Sequence, residues 1–139
     1  MDCEYWKDVV AQLRDPKRCD WASHVLSTML PTDSGLSEAN LGAALKCIPA
    51  EAIIEGTIYA YRDRSSQPYC DLILAQFNAE EILSNFLKVD SPDSNMKVGV
   101  LGVLEDMDRK LAVKLASTLD QPGESEDVLS AVRDTLRAT

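Results

Sequence analysis

Long hydrophobic segments, histidine and aromatic side chains are all scarce in this sequence. The longest uncharged apolar run covers only the seven residues from Val98 to Leu104, whereas a membrane-spanning helix needs about 20. The N-terminus also lacks the succession of basic, apolar and small residues that marks a secretory signal. We therefore expect no membrane segment and predict a cytoplasmic protein. Aromatics make up only 6% of the chain, and Trp6 and Trp21 are interpreted as core anchors rather than as a ligand cage.

Closely spaced cysteine pairs are absent as well. Cys3, Cys19, Cys47 and Cys70 are separated by 16, 28 and 23 residues, which is unlike the paired ligands of zinc sites. Without a secretion signal, we expect all four to be reduced thiols. The single histidine, His24, follows Cys19 by five residues, so on a helix the two side chains would point about 140° apart. The sequence thus predicts no metal, no cofactor and no local thiol–imidazole catalytic pair.

Positive charge is the remaining scarcity. The net charge is −9, divided as −3 over residues 1–64 and −6 over residues 65–139, and such a chain repels phosphate backbones. The segment from Tyr59 to Tyr69 does combine aromatic residues with Arg62 and Arg64. We interpret these arginines as cations that complement a helix C-terminus. Binding to nucleic acid is therefore not expected, and a nucleic-acid-associated helical module is retained only as an alternative.

Apolar residues recur at helical spacing in most of the 139 residues. Successive amphipathic segments are separated by short turns that contain Pro, Asp or Ser, which predicts about eight or nine helices and no sheet. The expected N-terminal caps of four of these helices are Ser37, Asn78, Ser94 and Asp108. The length suits one domain. We predict a single all-α domain over residues 1–139, built of stacked antiparallel helical hairpins as a short α-solenoid-like array or a multi-helix bundle.

The stretch KVGVLGVLED, residues 97–106, admits three interpretations: a buried strand, a phosphate-binding loop or a helix. Gly102 is followed by Val and Leu rather than by Lys and Ser or Thr, so the triphosphate-binding pattern is not met. A lone strand would lack a pairing partner. We therefore predict a central helix that is apolar nearly all round. Two interior glycines destabilise a helix, so close approach of another helix is expected at both Gly99 and Gly102.

The C-terminal half carries a pattern that is similar to a known repeat family. The segment DSPDSNMKVGVLGVLEDM, followed 30 residues after Pro92 by Pro122 and by EDVLSAVRDTLRA, resembles HEAT and armadillo repeats over about residues 68–138. The family prefers Val-Arg-x-Ala-Ala where this chain has Met96-Lys97-Val98-Gly99-Val100. The resemblance implies a scaffold that binds other proteins rather than a catalyst.

These features favour a non-enzymatic protein-binding module, of the acidic inhibitor, immunity or adaptor type, that acts on a basic partner protein. The alternative is an enzyme whose site is assembled from dispersed residues, either Cys19 with His24 or the acidic cluster Glu105–Asp108. No catalytic residue is assigned from the sequence. The oligomeric state and the identity of the partner are left open.

The predicted binding surface lies in the acidic turns of the C-terminal half. In an antiparallel stack alternate turns emerge on the same edge, so the turns at residues 90–93 and 120–127 are expected to line one rim and the turn at 105–108 the opposite edge. We predict that the partner binds five residues of this rim: Asp90, Asp93, Glu124, Glu126 and Asp127. The competing interpretation is that these residues are helix caps and solubilising charges.

Overall fold

The computed structural model describes residues 3–30 and 39–137, and in these ranges the chain is helical and contains no strand. A short 3-10 helix at Arg64–Ser66 precedes the fifth α-helix. The described residues form nine α-helices, which confirms the prediction of an all-α fold: α1 (Cys3–Gln12), α2 (Cys19–Ser27), α3 (Asn40–Leu45), α4 (Ala50–Ala60), α5 (Gln67–Leu74), α6 (Ala79–Leu87), α7 (Ser94–Met107), α8 (Arg109–Leu119) and α9 (Glu126–Arg137).

Helix α7 is central, as its apolar surface predicts. It packs against α4, α5, α6, α8 and α9, and its buried side chains join those of the other helices in one continuous core. This placement follows from the sequence, because a helix with apolar residues nearly all round must be covered on several sides. None of the described helices has the length and apolar character that crossing a membrane requires.

Helices α7 and α9 run in the same direction, and α8 returns between them. The start of α7 lies beside the start of α9, because the Ser94 hydroxyl donates to the Ser125 hydroxyl at 2.9 Å. The end of α7 lies beside the end of α9, where the Thr135 hydroxyl donates to the Glu105 carboxylate. Helices α7 and α9 therefore begin at the same edge of the fold.

Two of the predicted helix caps are confirmed. The Asn78 side chain accepts a hydrogen bond from the Glu80 amide at 2.7 Å, at the start of α6. The Asp108 carboxylate accepts from the amide of Lys110 at 3.1 Å, at the start of α8. The third predicted cap, Ser37, falls outside the described residues.

The predicted cap of α7 is wrong by one residue. The cap is Asp93, whose carboxylate accepts from the Met96 amide at 2.9 Å, whereas Ser94 is the first helical residue and bonds to α9. Asp and Ser are equally good caps by propensity, so the tertiary contact of Ser94 decides between them.

The two glycines of α7 have different surroundings. A Cβ atom on Gly99 would lie 2.4 Å from Cδ1 of the Tyr61 ring, so Tyr61, the residue that follows α4, packs directly on the α7 backbone. The prediction of close approach is confirmed at this position. At Gly102 it is wrong, since a Cβ there would meet nothing within 4 Å and the residue is exposed.

Tyr61 cannot easily move away from Gly99. Its side chain is 2% exposed, and its hydroxyl donates to the Asp71 carboxylate of α5 at 2.6 Å. Burial, together with the neighbouring carboxylate, raises the pKa of Tyr61, so the hydroxyl stays protonated and remains a donor. Burial also raises the pKa of Asp71, while the hydrogen bond from Tyr61 acts in the opposite direction.

Alanine substitution should therefore have opposite effects at these glycines. We expect Gly99→Ala to destabilise the protein by roughly 1–3 kcal/mol, because its Cβ overpacks the contact with Tyr61. Gly102→Ala should stabilise it by about 0.5–1 kcal/mol, because it removes backbone entropy from the unfolded chain at an open position. Urea denaturation of both variants measures the difference, and shifts of the same sign would contradict the assigned packing.

The prediction of four reduced cysteines is wrong. Cys3 and Cys47 form a disulfide, with their Cα atoms 5.4 Å apart, and it joins the start of α1 to the turn after α3. Cys19 and Cys70 are free and buried. Sequence spacing did not indicate the bond because its partners are 44 residues apart and meet only through the packing of α1 on α3.

Removal of this disulfide should lower stability by about 2–4 kcal/mol, the range expected for closing a loop of this length in the unfolded chain. The measurement compares urea denaturation of the oxidised protein with that of the Cys3→Ala/Cys47→Ala variant. A reducing agent should destabilise the wild type and leave the variant unchanged. Equal sensitivity of both proteins to reductant would assign the effect to another site.

One of the two tryptophans is not a core residue. Trp6 is 8% exposed and belongs to the core, as expected, but Trp21 is 36% exposed. The guanidinium of Arg18 lies 4.7 Å from the Trp21 ring centroid, a distance typical of a cation–π contact. The prediction for Trp21 is wrong because it lies on the outer face of α2, whose buried face is formed by other residues such as Ala22 and Leu26.

Candidate functional site

The fold does not bring Cys19 and His24 together. Cys19 is fully buried, and its sulfur accepts a hydrogen bond from the Ser66 hydroxyl at 3.7 Å. Burial raises the pKa of the Cys19 thiol, which disfavours the nucleophilic thiolate. His24 is exposed and stacks on the Tyr69 ring, with 4.7 Å between ring centroids. The two side chains therefore lie in different environments on separate faces of α2.

The acidic cluster Glu105–Asp108 is divided among structural contacts. Glu105 accepts the hydrogen bond from Thr135 of α9, and Asp108 caps α8. Asp106 is exposed. Throughout residues 3–30 and 39–137, no group of three or more His, Cys, Asp or Glu side chains is placed to hold a metal ion.

The two acidic turns of the predicted rim do lie side by side. Lys97, in the first turn of α7, donates to both carboxylate oxygens of Glu124, at 2.8 and 3.0 Å. The two side chains are only 19% and 14% exposed. The turn at residues 105–108 lies at the other end of α9, where Arg109 donates to the Thr135 carbonyl at 3.0 Å. These contacts place the turns at residues 90–93 and 120–127 at one edge and the turn at 105–108 at the opposite edge, as expected for an antiparallel stack.

The five predicted binding residues fall into two groups. Asp93 caps α7 and Glu124 is held in the ion pair, so both have structural roles. Asp93 is nevertheless exposed, as are Asp90, Glu126 and Asp127, and Glu126 forms a solvent-facing ion pair. These four are the members of this rim that a partner can reach, and their role as binding residues stays a prediction.

A groove that was not predicted from the sequence begins at this rim. It consists of two adjoining clefts of about 330 and 190 Å³, and both contain Gln67 and Val98 in their walls. We call it the α7–α9 groove. One face of α7 forms its floor, and α9 and the chain around the start of α5 form its walls; the residues are Tyr61, Arg64, Gln67, Asn95, Val98, Leu101, Gly102, Glu105, Asp127, Ser130, Ala131, Asp134 and Thr135.

The groove combines a floor of mixed polarity with acidic edges. Val98 contributes carbon surface and Asn95 an amide, while Glu105, Asp127 and Asp134 contribute carboxylates. The one basic side chain among the residues that form the two clefts is Arg64. This arrangement favours positively charged ligands that also carry apolar groups.

A sequence signal for the groove does exist. Asn95, Val98, Gly102 and Glu105 are spaced by three, four and three residues, so they share one face of α7. Two of these residues are polar and one is glycine, whereas Met96, Val100 and Val103 on another side of the helix are buried. Such an interruption on one face of a central helix marks the side that no other helix covers.

A second groove lies between α6 and α8 and has a different character. Its volume is about 450 Å³, and Leu83, Leu87 and Leu111 form its apolar part. Leu87 is 58% exposed. One acidic residue, Glu80, and one basic residue, Lys114, flank the leucines, so this groove carries no charge preference.

Comparison of the chain with models of protein families, with curated proteins and with solved structures finds no match. The similarity to HEAT and armadillo repeats therefore stays a prediction.

The ion pair between Lys97 and Glu124 should give the fold a pH-dependent contribution. The hydrogen bond from Lys97 is the main cause that lowers the pKa of Glu124. A carboxyl group with a lowered pKa in the folded state stabilises the protein above its unfolded pKa of about 4.3, and the contribution is lost as the pH falls through the folded value. We expect Glu124→Gln to cost about 1 kcal/mol at pH 7 and less at pH 3.

A matched control is Glu126→Gln. Glu126 also pairs with a cation, with 2.6 Å between its Oε1 and Nη2 of Arg133, but the two side chains are 79% and 54% exposed. Solvent screens such pairs, so its loss should change stability by less than about 0.5 kcal/mol. Denaturant melts at both pH values measure the two variants. Equal losses of unfolding free energy in the two variants at pH 7 would show that burial of the Lys97–Glu124 pair does not increase its contribution to stability.

Proposed function

We propose that this protein is a non-enzymatic binding module of the acidic inhibitor, immunity or adaptor type, and that its partner is a basic protein. The observation that carries the proposal is the position of the α7–α9 groove. The groove opens beside the rim where the exposed residues Glu126 and Asp127 begin α9, and Asp127 belongs to both. Long-range attraction and short-range fit are thereby available at one place.

The physical role of the rim is to steer the partner. Exposed carboxylates on one edge attract a positively charged surface before contact, which raises the association rate more than the final affinity. The attraction weakens with salt because the Debye length falls to about 8 Å at physiological ionic strength. The groove then supplies the short-range contact that limits dissociation.

The cellular location is part of the proposal. A cytoplasmic protein was predicted from the sequence, but disulfides are rare in reducing compartments. The Cys3–Cys47 disulfide therefore weighs against that location and favours an oxidising one. Proteins of an oxidising compartment are therefore the first candidates for the partner.

Charge reversal at the rim tests the proposal. The partner is first captured from the source cells by the wild-type protein and identified. Its association rate is then measured with the Glu126→Lys/Asp127→Lys variant. We expect association to slow by about tenfold at low salt and to lose most of its salt dependence, because the attraction has been reversed.

The control is Glu80→Lys/Glu81→Lys. This variant changes the net charge by the same amount, also in the first turn of a helix, but on α6. It should slow association much less. Equal rates in the two variants would mean that only the net charge matters, and unchanged rates in both would remove the acidic rim from the function.

A further inference from the structure

We infer that the α7–α9 groove binds a helical segment of the partner that carries lysine or arginine residues on the same face as small apolar residues. The inference rests on the proposed function and specifies the part of the partner that is recognised. It depends on three observations: an unexplained glycine, the charge of the groove, and the spacing of its acidic residues.

Gly102 is the first observation. A glycine inside a helix is destabilising, and at Gly99 the packed ring of Tyr61 explains it. Within residues 3–30 and 39–137 no such contact exists at Gly102, where a Cβ would meet nothing within 4 Å. Gly102 nevertheless forms part of the groove floor. Glycine on a helix surface permits a second backbone to approach closely, so the missing neighbour is assigned to the partner.

The charge of the groove indicates the chemistry of that neighbour. The acidic residues Glu105, Asp127 and Asp134 outnumber the single basic residue, Arg64, in the two clefts. Asp127 and Asp134 are exposed, and the cation beside Asp134 is Arg137, whose Nη1 lies 4.0 Å from Oδ1 in a pair whose side chains are 75% and 71% exposed. Such a solvent-exposed pair is weak, so a partner without positive charge would leave these carboxylates partly desolvated and poorly compensated, which opposes binding. The charge complement is a basic segment.

The spacing of the carboxylates indicates its secondary structure. Asp127 and Asp134 are seven residues apart on α9, which corresponds to about 10 Å along the helix axis. Basic residues seven apart on a partner helix repeat at the same distance and on the same face. The clefts are too small for a whole helix, so they receive its side chains while its small residues lie over Gly102.

A peptide selection tests the inference without knowledge of the partner. The probe is a phage-displayed library of 14-residue helical peptides, randomised at the four positions that form one face. Selection is made on the full-length protein with its disulfide intact. We expect enrichment of Lys or Arg at positions seven apart with Ala, Gly or Ser between them. Enrichment of acidic or purely apolar faces, or no enrichment, would overturn the inference.

The site of binding is tested with a substitution that fills the groove. Gly102→Leu should raise the Kd of the selected peptides at least tenfold, because its side chain occupies the space of the close approach. The control is Ser117→Leu, which adds an exposed leucine on α8. Two outcomes would place the peptides elsewhere and overturn the inference. One is unchanged affinity in the Gly102 variant, and the other is a loss of affinity on substitution of Leu83 and Leu87 instead.

Binding rates measured with the native partner distinguish this inference from the proposed function. If Glu126→Lys/Asp127→Lys slows association while Gly102→Leu has no effect, the rim is used and the groove inference is wrong. If neither variant changes the association or the dissociation rate, the proposed function fails together with the inference. Slower association in Glu126→Lys/Asp127→Lys, together with tenfold faster dissociation in Gly102→Leu, is the result that supports both.

Discussion

The contact between Tyr61 and Gly99 is the constraint on which the arrangement of the central helices depends. The tyrosine ring lies against the backbone of α7, and its hydroxyl is bonded to Asp71 of α5. One side chain thus fixes the separation of α4 from α7 and the position of α5 beside both. Since α7 packs on five other helices, this separation is transmitted to the rest of the fold. It also sets one wall of the α7–α9 groove, because Tyr61 and Gln67 both belong to that wall.

The parallel direction of α7 and α9 explains why acidic residues collect at one edge. The N-terminus of each helix carries partial positive charge, which favours Asp and Glu in the cap and the first turn. Because both helices begin at the same edge, Asp93, Glu126 and Asp127 are brought together by a purely local preference. The structural and the functional interpretations of the rim are therefore compatible. The local preference accounts for the presence of the carboxylates, while their exposure beside a groove allows a partner to use them.

Much of the helical organisation could be predicted from the sequence, because it depends on periodicity and local caps. The central position of α7 follows from its apolar composition, and the caps Asn78 and Asp108 follow from side-chain chemistry. The errors arise where tertiary contacts decide: Ser94 bonds to α9 instead of capping α7, and Cys3 meets Cys47 across 44 residues. The groove was missed for the same reason, since its walls come from three separate parts of the chain.

The Cys3–Cys47 disulfide has a consequence for the covalent integrity of the N-terminal third of the protein. The bond and the intervening chain form a closed ring that contains α1, α2 and α3. A single peptide-bond cleavage inside this ring does not divide the molecule, because both products remain joined through the two sulfur atoms. Cleavage after residue 47, by contrast, separates the chain into two pieces that only packing holds together. Resistance to fragmentation is therefore unequal along the sequence and is lost on reduction.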